Sequence, residues 1–291
     1  MNQALPATTA QYTGLITDTG RWSKFNHRAD DIFICTPPKC GTTWTQAIVC
    51  MLVFGEADHG QMPGVISPWI DAQFAPIDDY IAMIDGQTNR RFIKTHTPLD
   101  GIPFFAECTY LVVCRDPRDM YFSMLNHRDN MNDEELAFTT MPSGPTGYKD
   151  WIEGEFLHDN FDRQCLTGVA KFVDSYWRFK DLTNIHLYHY ADMKRDLRGH
   201  ISKVATALEI VVNDRQLDEM TAAATFEAMQ KKGDQYAPGA GMGMWKKEQG
   251  FFANGSNAQW RGKLSEAELQ ALDAKLQTLL TQEQIDWLVP A

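Results

Sequence analysis

Lys39 stands inside Thr36-Pro37-Pro38-Lys39-Cys40-Gly41-Thr42-Thr43-Trp44, a stretch whose residue types suit chemistry on an anion. The apolar run Ile32 to Cys35 precedes it and reads as a buried strand, and Thr45 to Phe54 follows as a core-facing helix. A loop between such elements lies at a helix amino end, where unpaired N–H groups and the helix dipole favour negative charge. Gly41 lets the backbone approach an anion closely, Thr42 and Thr43 add hydroxyl donors, and Lys39 supplies a mobile point charge. The stretch therefore reads as a phosphate-class anion site. The bland alternative is a proline-kinked turn with one incidental lysine. It is not a Walker loop, because the lysine precedes the glycine and two prolines stand where the first glycine would be.

The elements that must position these residues follow from apolar runs and punctuation. Arg90 to His96, Thr109 to Cys114 and Ile185 to Tyr190 read as further strands, the second a near-continuous apolar run suited to a sheet covered on both faces. Asp116 can cap a helix with Pro117 at its first position. Helical spacing is expected over Phe161 to Phe179, Lys194 to Leu208 and Arg215 to Met229, and over Ser265 to Leu280, with Ser265 capped by Glu268. Gly55 to Pro68 and Asn130 to Lys149 read as loops, the latter a candidate lid, and Ile70 to Gly86 as short helices. Strands alternating with helices predict a P-loop-like, three-layer α/β fold with a central parallel sheet. No composition break divides 1–291, so a single domain is expected, with 1–30 irregular and 230–260 a long loop beside the site.

A chain of 291 residues with 44% hydrophobic and 22% charged residues is ample for a soluble core. A formal charge of −11 argues against a nucleic-acid partner, so an anionic ligand needs a focused site. The longest apolar run, Ala47 to Phe54, is far short of the ~20 residues of a membrane span. No secretory signal is visible from Met1 to Gln11, and six scattered cysteines without metal spacing read as buried thiols; a cytoplasmic setting is expected.

The order Pro38-Lys39-Cys40-Gly41-Thr42-Thr43-Trp44 resembles the 5′-phosphosulfate loop of the cytosolic-type sulfotransferases, Y-P-K-S-G-T-T-W. Lys94-Thr95-His96-Thr97-Pro98 resembles their K-T-H-L-P, and Arg115 to Ser123 their R-N-P-x-D-x-x-x-S. The resemblance implies 3′-phosphoadenosine 5′-phosphosulfate (PAPS) as donor, its desulfated form PAP as product, and no metal. His96 would be the general base, Lys39 would stabilise the leaving nucleotide, and Lys94 would position acceptor or sulfuryl group. Arg115 and Ser123 would hold the 3′-phosphate. The physics agrees: an arginine at a strand end offers a bidentate fork, and Ser123 lies about two turns along the next helix. The competing reading pairs Arg115 with Asp119. Trp44, Tyr190, Thr225, Phe226 and Met229 would form the adenine pocket, by likeness to Y-E-D-M-K and S-F-x-x-M, and Gly255 with Trp260 matches R-K-G-x-x-G-x-W. Ala253 and Asn254 stand where that motif has its cations, which leaves three readings open: weak PAPS binding, substitution by another cation such as Lys231, Lys232, Lys246 or Lys247, or lost activity.

The other seven histidines, His127 among them, read as backbone-satisfied. The segments 60–85, 130–155 and 233–252 bring Trp69, Phe74, Tyr80, Trp151, Tyr236, Trp245, Met83, Met141, Met242 and Met244, which suggests a small apolar alcohol or phenol as acceptor. Two readings compete with the transferase: a P-loop phosphotransferase, and a catalytically silent or altered-donor nucleotide-binding protein. Oligomeric state stays open.

Overall fold

Four short runs, Ile32–Cys35 (β1), Phe92–Thr95 (β2), Thr109–Cys114 (β3) and Ile185–His189 (β4), pair in the order β2-β1-β3-β4, every pair parallel. They are seen in a computed structural model that describes residues 4–133, 141, 144–252 and 255–290. The register sets Ile32 opposite Phe92 and Thr109, and Cys35 opposite Thr95 and Val112. Successive side chains alternate between faces. Phe33, Cys35, Ile93, Tyr110 and Val112 enter one core layer, with Phe172 and Tyr176 of the helix Leu166–Trp177. Ile32, Ile34, Phe92, Leu111 and Val113 enter the other, with Ile48 and Leu52 of α1 (Thr42–Phe54) and Ile201 and Val204 of the helix Leu197–Ala207. Burial on both faces is why these strands are near-continuously apolar. The three-layer α/β expectation holds.

The N-terminal segment is less irregular than expected, since Thr19–Lys24 forms a 3-10 turn. Its Trp22, with Phe25, packs on Phe33, ring centres 5.8 and 6.0 Å away. α2 (Pro63–Ile66) adds one helical turn inside the expected Gly55–Pro68 loop, and α3 (Ile77–Asp85) is one helix in the 70–86 region. α4 (Pro117–Asn130) starts as predicted: the Asp116 carboxylate accepts the Arg118 N–H at 2.8 Å and Pro117 follows. The Ser265 capping box also forms, opening the helix Glu266–Leu279.

Elsewhere local side chains break the predicted periodicity. The expected helix from Lys194 is two, Tyr190–Arg195 and Leu197–Ala207, because the Asp196 side chain caps the second. The expected helix from Arg215 is also two, since Thr225 caps Phe226–Lys231. Asp162 starts no helix; its carboxylate takes the Ile16 and Thr17 N–H groups at 2.6 and 3.0 Å. The long 230–260 loop carries the short helix Gly233–Tyr236 and a 3-10 turn at Glu248–Phe251. The candidate lid yields to a helix at Gly147–Glu153, and its residues 134–140 and 142–143 lie outside those described. A last helix, Gln282–Leu288, had been missed.

One buried ion pair ties the strand starts together. Arg91 and Asp31 are 1% and 0% exposed, and Arg91 Nε donates to Asp31 Oδ1 at 2.7 Å. The Asp31 carbonyl takes the Thr109 N–H and the Arg91 carbonyl takes the Ile32 N–H, so both residues also belong to the ladder. Asp31→Ala would leave the buried guanidinium with only the solvent-exposed Asp85 carboxylate and the Asn26 carbonyl and is expected to cost about 3–5 kcal/mol. Urea denaturation should show a lowered midpoint at unchanged slope; a loss below ~1 kcal/mol would remove the pair from the account of the sheet.

Candidate functional site

The carboxyl ends of the strands open into one cavity of about 1060 Å³. β1 delivers the anion loop. Gly41, at φ 99°, is the N-cap of α1 and has no side chain to cap the first-turn N–H groups. A Cβ there would come within 3.0 Å of the Tyr190 ring. Thr42 and Thr43 begin α1, and Thr42 Oγ1 lies 2.6 Å from Thr36 Oγ1. Lys39 adopts φ 65°, a region that costs a residue with a Cβ roughly 1–2 kcal/mol. Its Nζ lies 3.2 Å from His127 Nδ1 and 4.2 Å from the centre of the Phe251 ring. Burial, then the Arg115 and Lys94 charges, lower its pKa to about 7. Cys40 departs from expectation. It is fully buried in the core, does not line the cavity, and its N–H is turned to the Pro37 carbonyl.

β2 delivers Lys94 and His96. His96 Nδ1 is 2.6 Å from the Thr36 carbonyl oxygen. A carbonyl only accepts, so Nδ1 carries the hydrogen and Nε2 keeps a lone pair. Burial, followed by Lys94 and, more weakly, Lys39, pushes His96 down to about 3, against the opposing pull of the Thr36 carbonyl. Trp69 separates the two side chains: Lys94 Nζ lies 4.8 Å over its ring and His96 meets it edge-on at 4.6 Å. Burial lowers Lys94 to about 8, with the Asp71 charge acting in the other direction. Asp71 is fully buried, and its Oδ2 accepts the hydroxyls of Thr95 and Thr97 at 2.7 and 2.6 Å. The backbone on both sides of His96 is thereby held by one carboxylate oxygen.

β3 delivers Arg115, which is 4% exposed. It does not pair with Asp119. Its Nη2 donates to the Ser256 carbonyl at 2.8 Å, its guanidinium lies 4.4 Å over Tyr190, and Nε is buried without a partner. Asp119 instead accepts the N–H groups of Ala258 and Gln259 at 2.8 and 2.6 Å, latching that segment to the start of α4. Ser123 lines the cavity two turns along α4. Trp44 donates Nε1–H to the Ala224 carbonyl at 2.7 Å and meets Tyr190 edge-to-face at 5.3 Å. Thr225, Phe226 and Met229 border the same space. Gly255, at φ 54°, lies against Phe226, where a Cβ would come within 2.2 Å of the ring. Ala253 and Asn254 lie outside the described residues.

Of the expected acceptor lining, Trp69, Phe74, Tyr80, Met83, Trp245, Met242 and Met244 border the cavity, whereas Trp151, Met141 and Tyr236 are buried away from it. Sequence reasoning missed His127 and Asp71. His127 had been dismissed as backbone-satisfied, yet it meets Lys39 and packs 4.8 Å from Trp245. Its place on α4, three turns after Arg115, was the available signal. Among the described residues no three His, Cys, Asp or Glu side chains converge as metal ligands, and no helix is long and apolar enough to cross a membrane.

Comparison with known proteins agrees with this arrangement. Residues 29–284 match the sulfotransferase domain family. A glycolipid sulfotransferase of Mycobacterium bovis is 33% identical, the match covering 92% of this chain and 90% of that protein. Cytosolic sulfotransferase 1 of Danio rerio is 29% identical, covering 88% and 85%. A solved structure of a mouse sulfotransferase complexed with PAP superposes with a TM-score of 0.72 at 18% identity, covering 93% and 91%. The chain belongs to the sulfotransferase family.

The His96 environment fixes an expectation for pH. Its folded pKa lies below the unperturbed ~6.5, so the neutral ring persists as pH falls through the range in which a free histidine protonates. In nuclear magnetic resonance the His96 ring nitrogens should show no protonation step from about pH 8 to pH 5, apart from smaller displacements that track Lys39 and Lys94. A titration midpoint above pH 5 would contradict the burial and charge assignment.

Proposed function

We propose that this sulfotransferase uses PAPS as donor and an apolar alcohol or phenol as acceptor, with His96 as general base, in a single domain spanning 1–291. The observation that carries the donor reading is the meeting of Lys39, Lys94 and Arg115 in one cavity. Arg115 is buried and Lys39 and Lys94 half-buried, Lys39 and Lys94 are lowered, and none forms a salt bridge among the described residues. Such a cluster is relieved by a multiply charged anion. The residues fit a bisphosphorylated nucleotide: the α1 amino end and Lys39 on the 5′ side, the unpartnered Arg115 Nε and Ser123 on the 3′ side, and Trp44, Tyr190, Phe226 and Met229 around a flat base. PAPS, when bound, supplies a sulfuryl group on a phosphate leaving group.

His96 takes the acceptor's hydroxyl proton at Nε2 while that oxygen bonds to sulfur. Thr36 and Asp71 hold the ring and its flanking backbone for this. Lys39 and the first-turn N–H groups of α1 stabilise the charge gained by the departing phosphate oxygen as its bond to sulfur breaks. Lys94 orients the sulfuryl group or the acceptor. The remaining walls are mainly apolar, with Trp69, Phe156, Phe172 and Trp245 among them and the exposed Met62, Phe74 and Met242. That one volume holds the donor side as well as the acceptor side, which leaves room for a small, fairly apolar acceptor beside the nucleotide. The mycobacterial relative is named for a different acceptor, a glycolipid.

Titration with PAP by calorimetry tests the donor. Micromolar binding is expected, weakened about ten- to a hundred-fold in Lys39→Ala, as for loss of one charge-assisted contact of roughly 1.5–3 kcal/mol. No binding at millimolar PAP would end the donor reading. His96→Ala is expected to keep PAP affinity and lose about 10²–10⁴ in kcat; an unchanged rate would remove the base. In an acceptor screen, small apolar alcohols and phenols should be sulfated faster than polar ones, and sulfation confined to sugars or peptides would refute the acceptor class.

A further inference from the structure

Lys194 lies in the last turn of the helix Tyr190–Arg195, and its side chain crosses to the 255–256 segment. There Nζ donates to the Gly255 carbonyl, while the next carbonyl, that of Ser256, accepts Arg115 Nη2. Two cations from different strand ends thus sit on consecutive peptide units and both line the cavity. Neither forms a salt bridge with a carboxylate among the described residues. Asp119, the carboxylate nearest in role, is occupied by the N–H groups of Ala258 and Gln259. After burial, the Arg115 charge is the largest influence depressing Lys194, only partly offset by Glu227 and Asp119. Two backbone carbonyls and the Tyr190 ring hold these like charges, with no carboxylate paired directly to either, and a phosphate monoester, carrying about −1.5 to −2 charge, matches both.

We propose that Lys194 is the second phosphate-binding cation of the nucleotide site, closing with Arg115 on the 3′-phosphate. The lysines offered from sequence for that place do not reach it. Lys232 Nζ lies 3.6 Å from Asp58, Lys246 Nζ donates to the Asp129 carbonyl at 2.9 Å, and neither they nor Lys231 and Lys247 line the cavity. Lys194 arrives from the helix that also presents Tyr190, so one element supplies a face for the base and a charge for the phosphate. The assignment rests on the bisphosphorylated-donor reading, deepens it at one contact, and supplies a cation where the 253–254 positions bring none.

Calorimetry with PAP and with adenosine 5′-phosphate, on the unaltered protein, Lys194→Gln and Lys194→Arg, separates the two readings. Lys194 is exposed, so both variants are expected to keep the fold, checked by an unchanged thermal midpoint. The unaltered protein should prefer PAP. Lys194→Gln should weaken PAP about tenfold and leave adenosine 5′-phosphate within twofold, and Lys194→Arg should retain most of the preference. If the unaltered protein shows no preference for PAP, the donor reading fails and this one with it. If the preference exists and Lys194→Gln keeps it, or loses both ligands equally, the donor reading stands and Lys194 is overturned as the 3′ contact.

Discussion

The in-register parallel pairing of β1 with β2 is the constraint on which the site depends. Because Cys35 lies opposite Thr95, the next residues on each strand, Thr36 and His96, emerge side by side, and the Thr36 carbonyl captures His96 Nδ1. A slip of one residue would send each β2 side chain to the other face and dismantle both core layers, so the burial that stabilises the sheet also sets the imidazole. The Arg91–Asp31 pair at the opposite end keeps the same two strands from sliding. Ligands of open parallel sheets lie beyond the carboxyl ends of the strands, and here all four strands deliver a cavity residue within one or a few positions of their end.

Electrostatics then works against the fold until an anion arrives. Lys39, Lys94 and Arg115 are gathered in one cavity, where lost hydration lowers both lysines and the neighbouring cations lower Lys39 further. Two carboxylates make the arrangement tolerable without neutralising it. Asp71 is spent on the hydroxyls that flank His96, and Asp119 on backbone N–H groups of the segment facing Arg115. Each organises the cavity wall while leaving the cations free of direct pairing.

Most of this was legible where a residue's role is set by its neighbours in the chain. Apolar runs marked the strands, Asp116-Pro117 and Ser265 with Glu268 marked helix starts, and the 36–44 stretch marked the tight loop that opens α1. Roles set by tertiary meetings were not. Nothing around Asp71 announces that it will accept two hydroxyls from β2, and nothing in His127 separates it from six other histidines until α4 places it beside Lys39. Cys40 erred in the other direction: it sits inside the motif but turns to the core, because a tight loop cannot present every side chain to one side. The helix breaks at Asp196 and Thr225 escaped notice because short polar side chains can cap a new helix without disturbing apolar spacing.

All six cysteines are free and buried, and burial raises their thiols, Cys40 to about 12. Their inertness is conditional on the fold. Electrophiles and oxidants attack thiolates, so the native molecule withstands reagents that the opened chain, with six accessible sulfurs of ordinary acidity, does not. Durability toward such agents is therefore governed by how often the sheet and its covering helices part. Cys35, Cys40 and Cys114 share one core layer under the anion loop, so opening that lets one of them react also disturbs the floor on which the nucleotide site is built.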